Sequence, residues 1–196
     1  MELSQLKIVV LGDTNAGKSS LICRYTTGKF KETLSSVSSG LHTKLLTLSK
    51  GQVKLNIWDT VGEEKHNSIS RLYYRNADIF FLVYDLSEND SAIGLKNWYQ
   101  CIRKEDDTLT AKVYIIASKL DILSNDISEL QGKHFAEEIG VKFFKTSAKT
   151  GVGIEDLFLA VASNITPSVS NALTRKSINL NDFKPHIMEK KKKKFC

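Results

Sequence analysis

The chain has 196 residues, 41% of them hydrophobic, which is the size of one ordinary domain with a tail; no apolar run reaches the roughly 18–20 residues of a membrane-crossing helix. Three cysteines (Cys23, Cys101, Cys196), widely spaced and odd in number, speak against a disulfide framework, and the scattered His42, His66, His134 and His186 lack metal-ligand spacing. The net charge of +6 lies in the tail: residues 1–166 hold 20 Lys/Arg and 20 Asp/Glu, residues 167–196 hold 8 and 2, so no nucleic-acid-binding face is expected on the domain and an electrostatic partner is expected for the tail.

The start, MELSQLKIVVLG, lacks the basic flank and small-residue cleavage site of a signal peptide, so a cytosolic location is expected. Leu6–Leu11 is a continuous apolar run ending at Gly12, the pattern of a buried strand. Lys18–Tyr25 follows as a helix, and the Ser/Thr-rich stretch Lys29–Gly40 as a loop. Leu41–Leu48 and Val53–Trp58 read as strands around the turn Ser49-Lys50-Gly51-Gln52. Thr60–Arg71 is polar and irregular, with a helix expected towards its end, and Asp78–Tyr84 is an apolar strand.

Ser91–Lys104 reads as a helix with a buried stripe of Ile93, Trp98, Cys101 and Ile102. Val113–Ala117 is a strand, and Ser128–Ile139 is a helix with Ser128 as N-cap and Gly140 beyond its end. Val141–Phe144 is a short strand and Ile154–Ile165 the last helix, stopped by Pro167. Apolar strands separated by helices predict an α/β fold: a mostly parallel six-stranded sheet with helices on both faces and ligands at the carboxyl ends of its strands. Cys23, Cys101 and Trp98 are expected to be structural.

Gly12-Asp13-Thr14-Asn15-Ala16-Gly17-Lys18-Ser19 fits G-x-x-x-x-G-K-[ST] between a strand and a helix. Such a loop wraps phosphate with backbone N–H groups, here from Asn15, Ala16, Gly17, Lys18, Ser19 and Ser20. Lys18 reaches the outer phosphates and the Ser19 hydroxyl binds Mg²⁺. Asp59, ending an apolar strand, is placed to hold Mg²⁺ through water, and Gly62 can turn its N–H to a γ-phosphate. Ser118-Lys119-Leu120-Asp121 and Lys145-Thr146-Ser147-Ala148-Lys149 each follow a strand. A carboxylate at Asp121 can accept from guanine N1–H and N2–H₂, a donor pair that adenine lacks. The Ala148 N–H can donate to guanine O6, and the Lys119 stem can pack on the base.

These motifs, with Trp58-Asp59-Thr60, Tyr73-Tyr74-Arg75 and Val83-Tyr84-Asp85, resemble the Ras superfamily and its Rab branch over residues 6–165. The resemblance implies a P-loop NTPase (Ras-like) fold over residues 1–166 and a flexible basic tail over 167–196. It implies a monomeric GTP/GDP switch with Mg²⁺ that hydrolyses GTP slowly, recruits effectors when GTP is bound and acts in vesicle trafficking, with an exchange factor and a GTPase-activating partner. Phe30, Ser147 and Lys149 fall at guanine-contacting positions. Leu41, Trp58 and Tyr73 fall at the hydrophobic effector triad, with Leu41 in place of Phe. Lys18, Gly62 and Glu63 are the catalytic positions.

Departures from the family pattern mark the chain. Ser36 stands where a threonine caps Mg²⁺ and binds phosphate, without the stiffening methyl. Glu63 stands where a glutamine orients the attacking water, and when ionised it only accepts hydrogen bonds. Ser118 replaces the asparagine that both contacts the base and ties the phosphate loop to its strand; serine is too short for both links. Cys196 ends a run of five lysines where the family carries two cysteines. One prenyl chain plus a polybasic patch would anchor the protein reversibly to the cytosolic face of intracellular membranes. Alternatives are a GTP-binding scaffold that does not hydrolyse, a metabolic P-loop kinase or ATPase, and, for the tail, a solvated run or a nuclear localisation signal.

Overall fold

The computed structural model describes residues 4–30, 40–48, 51–60, 74–88, 90–105, 110–122 and 126–163. Within them the chain runs β1 (Ser4–Leu11), α1 (Lys18–Thr27), β2 (Gly40–Leu48), β3 (Gly51–Asp59) and β4 (Ile79–Asp85). A single 3₁₀ turn (Ser91–Ile93) then leads into α2 (Gly94–Glu105), followed by β5 (Lys112–Ser118), α3 (Asp126–Glu138), β6 (Lys142–Lys145) and α4 (Ile154–Ser163).

The strands form one sheet in the order β2-β3-β1-β4-β5-β6. β2 is antiparallel to β3, and every other pairing is parallel. The expected six-stranded, mostly parallel sheet is therefore present. From β1 the chain leads to β3 on one side and β4 on the other. That divergence opens a crevice at the carboxyl end of β1, where ligands of open α/β sheets bind.

Alternation along the strands explains their unbroken apolar character. Ile8 and Val10 face one side with Leu55, Ile57, Phe81 and Ile116, where α1 brings Leu21, Ile22 and Tyr25 and α4 brings Leu157, Phe158 and Val161. Val9 and Leu11 face the other side with Phe80, Leu82 and Ile115, where α2 brings Leu95, Trp98 and Ile102 and α3 brings Phe135 and Ala136. Each fully buried aliphatic side chain contributes about 1.5–3 kcal/mol relative to exposure.

Three expectations are corrected. Ile93 is 58% exposed: it belongs to the 3₁₀ turn, whose tighter winding shifts the helical register. The inward stripe is Ala92, Leu95, Trp98 and Ile102, and Cys101 is only half-buried. Ser128 is not the N-cap of α3, because that helix starts at Asp126. Ser128 is instead buried in the first turn, where Asp126 and Glu129 suit the positive end of the helix dipole. Gly51 and Gln52, expected in the turn, open β3. Most of the 29–40 and 60–71 loops, and the residues after 163, lie outside the described residues.

Tyr84 carries the contact between sheet and α3. Its hydroxyl donates to the Ser128 carbonyl at 3.1 Å, and burial pushes it up from the usual tyrosine value, so it stays a donor. Gly132 lets α3 lie on this ring: a Cβ built there would stand 2.3 Å from Tyr84 Oη. Overpacking costs about 1–3 kcal/mol, against a helix-propensity gain of about 1 kcal/mol for alanine. Gly132→Ala is expected to lower the free energy of urea unfolding by up to about 2 kcal/mol, whereas exposed Gln131→Ala should change it by less than about 0.5 kcal/mol. A Gly132→Ala variant more stable than the parent would contradict this packing.

Candidate functional site: a phosphate loop and a bordering cavity

Gly12 leaves β1 at φ +150°, and a Cβ there would lie 2.0 Å from the Val83 carbonyl oxygen. Only glycine allows this approach of the loop to β4. Asn15 takes a left-handed φ of 64°, a conformation asparagine tolerates. Lys18 opens α1 and is buried. Its ammonium donates to the Gly12 and Asp13 carbonyls, both at 2.9 Å. The Asp13 carbonyl also accepts from Ala16 N–H at 3.1 Å, and the Gly17 carbonyl accepts from Leu21 N–H. The Ser118 hydroxyl, at the end of β5, reaches the carbonyls of Ala16 at 2.5 Å and Tyr84 at 2.9 Å. Ser118 therefore keeps the tie from β5 to the phosphate loop.

A second pair of loops is stitched together beside the first. Thr146 N–H donates to the Ala117 carbonyl at 2.8 Å, and Leu120 N–H to the Thr146 carbonyl at 3.1 Å. The Ser147 hydroxyl donates to Asp121 Oδ1 at 2.5 Å and accepts from Thr150 N–H at 3.1 Å. This fixes the carboxylate orientation. Lys119 sits at a left-handed φ of 60°, with its ammonium 2.6 Å from Asp85 Oδ2. Asp85 Oδ1 in turn accepts from the Ser87 N–H and hydroxyl.

Both loop pairs border a cavity of 440 Å³, within the size range of small-ligand pockets. Asn15, Gly17, Lys18, Ser19 and Ser20 line it from the phosphate loop. Phe30, Ser118, Lys119, Asp121, Ala148 and Lys149 line the rest. Ala16 and Ser147 stand behind the wall, acting through their hydrogen bonds. Thr14 and Thr146, inside those motifs, also line it, as do Glu88 and Ile122, which the sequence does not single out. Asp85 was missed as well, although a carboxylate ending an apolar strand is the same signal that singled out Asp59.

Asp59 is buried at the end of β3, in register with Val10 of β1. The neighbouring Thr60 hydroxyl pins that end by donating to the Val10 carbonyl at 2.7 Å. Among the described residues no cluster of three or more His, Cys, Asp or Glu could hold a metal ion. Mg²⁺ makes no such demand: it takes hard oxygens and keeps several waters. A half-buried Ser19 hydroxyl lining the cavity and the Asp59 carboxylate fit its donor chemistry. Gly62, Glu63, Ser36, Tyr73 and Cys196 lie outside the described residues. Leu41 and Trp58 pair across β2 and β3, with Leu41 46% exposed. The Lys7 ammonium lies 5.4 Å from the Trp58 ring centroid, and burial lowers its pKa from the usual lysine value.

The Ras family model matches residues 7–167. The chain belongs to the Ras family, in its Rab branch. It is 35% identical to the Ras-related protein Rab-17 of Mus musculus over 160 residues, covering 81% of this chain and 75% of that protein. It is 34% identical to the Ras-related protein Rab-31 of Homo sapiens over 171 residues, covering 85% and 86%. With the Ras-related protein RAB1BV of Beta vulgaris it shares 31% over 173 residues, covering 87% and 80%. This Rab-branch chain holds its phosphate loop through a serine where the family pattern has asparagine.

Removing that hydroxyl takes its one donor hydrogen from between the Ala16 and Tyr84 carbonyls in a buried site. Ser118→Ala is expected to cost about 1–3 kcal/mol of unfolding free energy, the penalty for an unsatisfied buried polar group. A denaturant midpoint unchanged by Ser118→Ala would show that the tie carries no weight.

Proposed function

We propose that this chain is a GTP/GDP-operated switch that recruits effectors in its GTP state and acts in vesicle and membrane trafficking. The observation that carries the reading is the Asp121 carboxylate, held by Ser147 on the wall of a cavity whose other end is the phosphate loop. A diphosphate on the backbone amides of Asn15–Ser20 sets the purine between Phe30, Lys119 and Ala148. Asp121 then accepts from N1–H and N2–H₂ of guanine, while adenine leaves it facing a single acceptor nitrogen.

Ser19, Ser36 and water held by Asp59 are the positions for Mg²⁺, which would neutralise charge on the outer phosphates. Lys18 and the Gly62 N–H serve the γ-phosphate. At the position of the water-orienting glutamine, Glu63 is a carboxylate that when ionised only accepts hydrogen bonds, so hydrolysis is altered and the response to a GTPase-activating partner is impaired. Ser118 spends its one hydroxyl on the phosphate loop and leaves the base one contact short, which speeds nucleotide release. The tail, residues 167–196, brings the domain to anionic cytosolic membrane surfaces through its lysines and a lipid on Cys196. Glu63 and Ser118 together favour a second reading, a GTP-binding scaffold that hardly turns over.

Competition against fluorescent GDP tests the central reading. GTP and GDP should displace the probe, with ATP weaker by roughly 10⁴-fold or more, the discrimination of a site built to hydrogen-bond its substrate. Asp121→Ala should abolish most of that preference. Equal competition by ATP and GTP would refute the assignment.

A further inference from the structure

Trp98 is 1% exposed and belongs to the core between α2 and the sheet. A buried indole N–H requires an acceptor. Here Nε1–H donates at 3.0 Å to Oδ1 of Asp13, a phosphate-loop residue 85 positions earlier. Gly94 lies four residues before Trp98 and so on the same helical face. A Cβ built on Gly94 would stand 2.3 Å from Asp13 Oδ2. Gly94 and Trp98 thus cradle one carboxylate at the first turn of α2, the end of a helix that favours negative charge.

The same Asp13 offers its main-chain carbonyl to the Lys18 ammonium and to Ala16 N–H. A continuous path of hydrogen bonds therefore runs from α2 through Asp13 to the lysine of the phosphate loop. Asp13 is not among the residues lining the cavity; its side chain is committed to α2.

We propose that Trp98 is a positioning residue for nucleotide binding: by holding the Asp13 carboxylate it sets the phosphate loop and Lys18, and so how long a nucleotide stays bound. This rests on the guanine-nucleotide reading above. The test is a double-mutant cycle on the release rate of GDP carrying a fluorescent ribose label, with the full chain and Mg²⁺. Trp98→Phe keeps most of the core volume and removes the donor; Asp13→Ala removes the acceptor. Each is expected to speed release about tenfold, the scale of one lost hydrogen bond to a carboxylate. The double variant should release no faster than the quicker single one. Asp13→Asn, which retains a carbonyl oxygen, should lie closer to the parent and guards against misfolding of the alanine variant. Unfolding midpoints are measured in parallel. If the midpoints fall while release rates stay at the parental value, or if the two substitutions add independently, Trp98 is a core residue only and the proposal is overturned. A parent protein that takes up no labelled GDP overturns the nucleotide reading, and this proposal with it.

Discussion

The structure depends on how the phosphate loop holds its carbonyl groups. A loop can present amide hydrogens to an anion only if its carbonyl oxygens are turned away and satisfied. Here the Gly12 and Asp13 carbonyls take the Lys18 ammonium, Ala16 takes the Ser118 hydroxyl, and Gly17 takes the first α1 bond. The ammonium is buried, which would be costly without those oxygens around it. Burying one cation among its own loop's carbonyls thus shapes the loop as well as supplying charge.

That arrangement needs a rigid frame. β1 is buried on both faces, with α1 and α4 packed on one and α2 and α3 on the other. The loop leaves β1 where the sheet diverges to β3 and β4, and β4 with the strand beyond it, β5, delivers its supports. β4 comes close enough at Val83 to require Gly12, and β5 delivers Ser118. The base-side loops follow β5 and β6 and are locked to each other through Thr146 and Leu120. Parts of the site far apart in sequence are therefore set by strands of one sheet: β1 and, two and three strands along from it, β5 and β6.

Much of this was legible in the residues because it is local. A glycine motif between a strand and a helix, and carboxylates ending apolar strands, carry their chemistry in a few consecutive positions. What escaped was non-local or finely geometric. The Asp85–Lys119 ion pair joins the end of β4 to the loop after β5, and no spacing rule brings them together. Trp98 looked like core and is core, yet its N–H serves the phosphate loop. Ile93 was assigned inward because a 3.6-residue period was extended through a stretch wound as 3₁₀. Ser128 reads as a cap because serine favours that position, while the helix starts two residues earlier at Asp126. The switch residues Ser36 and Glu63 owe their assignment to family likeness.

The account stands most directly on where a bound guanine nucleotide sits. A crystal structure of this chain grown with GDP and Mg²⁺ measures it. The diphosphate should lie within hydrogen-bonding distance of the Gly17, Lys18 and Ser19 amides, with both Asp121 oxygens on the N1–N2 edge of the base. A diphosphate bound away from these amides, or an Asp121 carboxylate turned from the purine, would contradict the account.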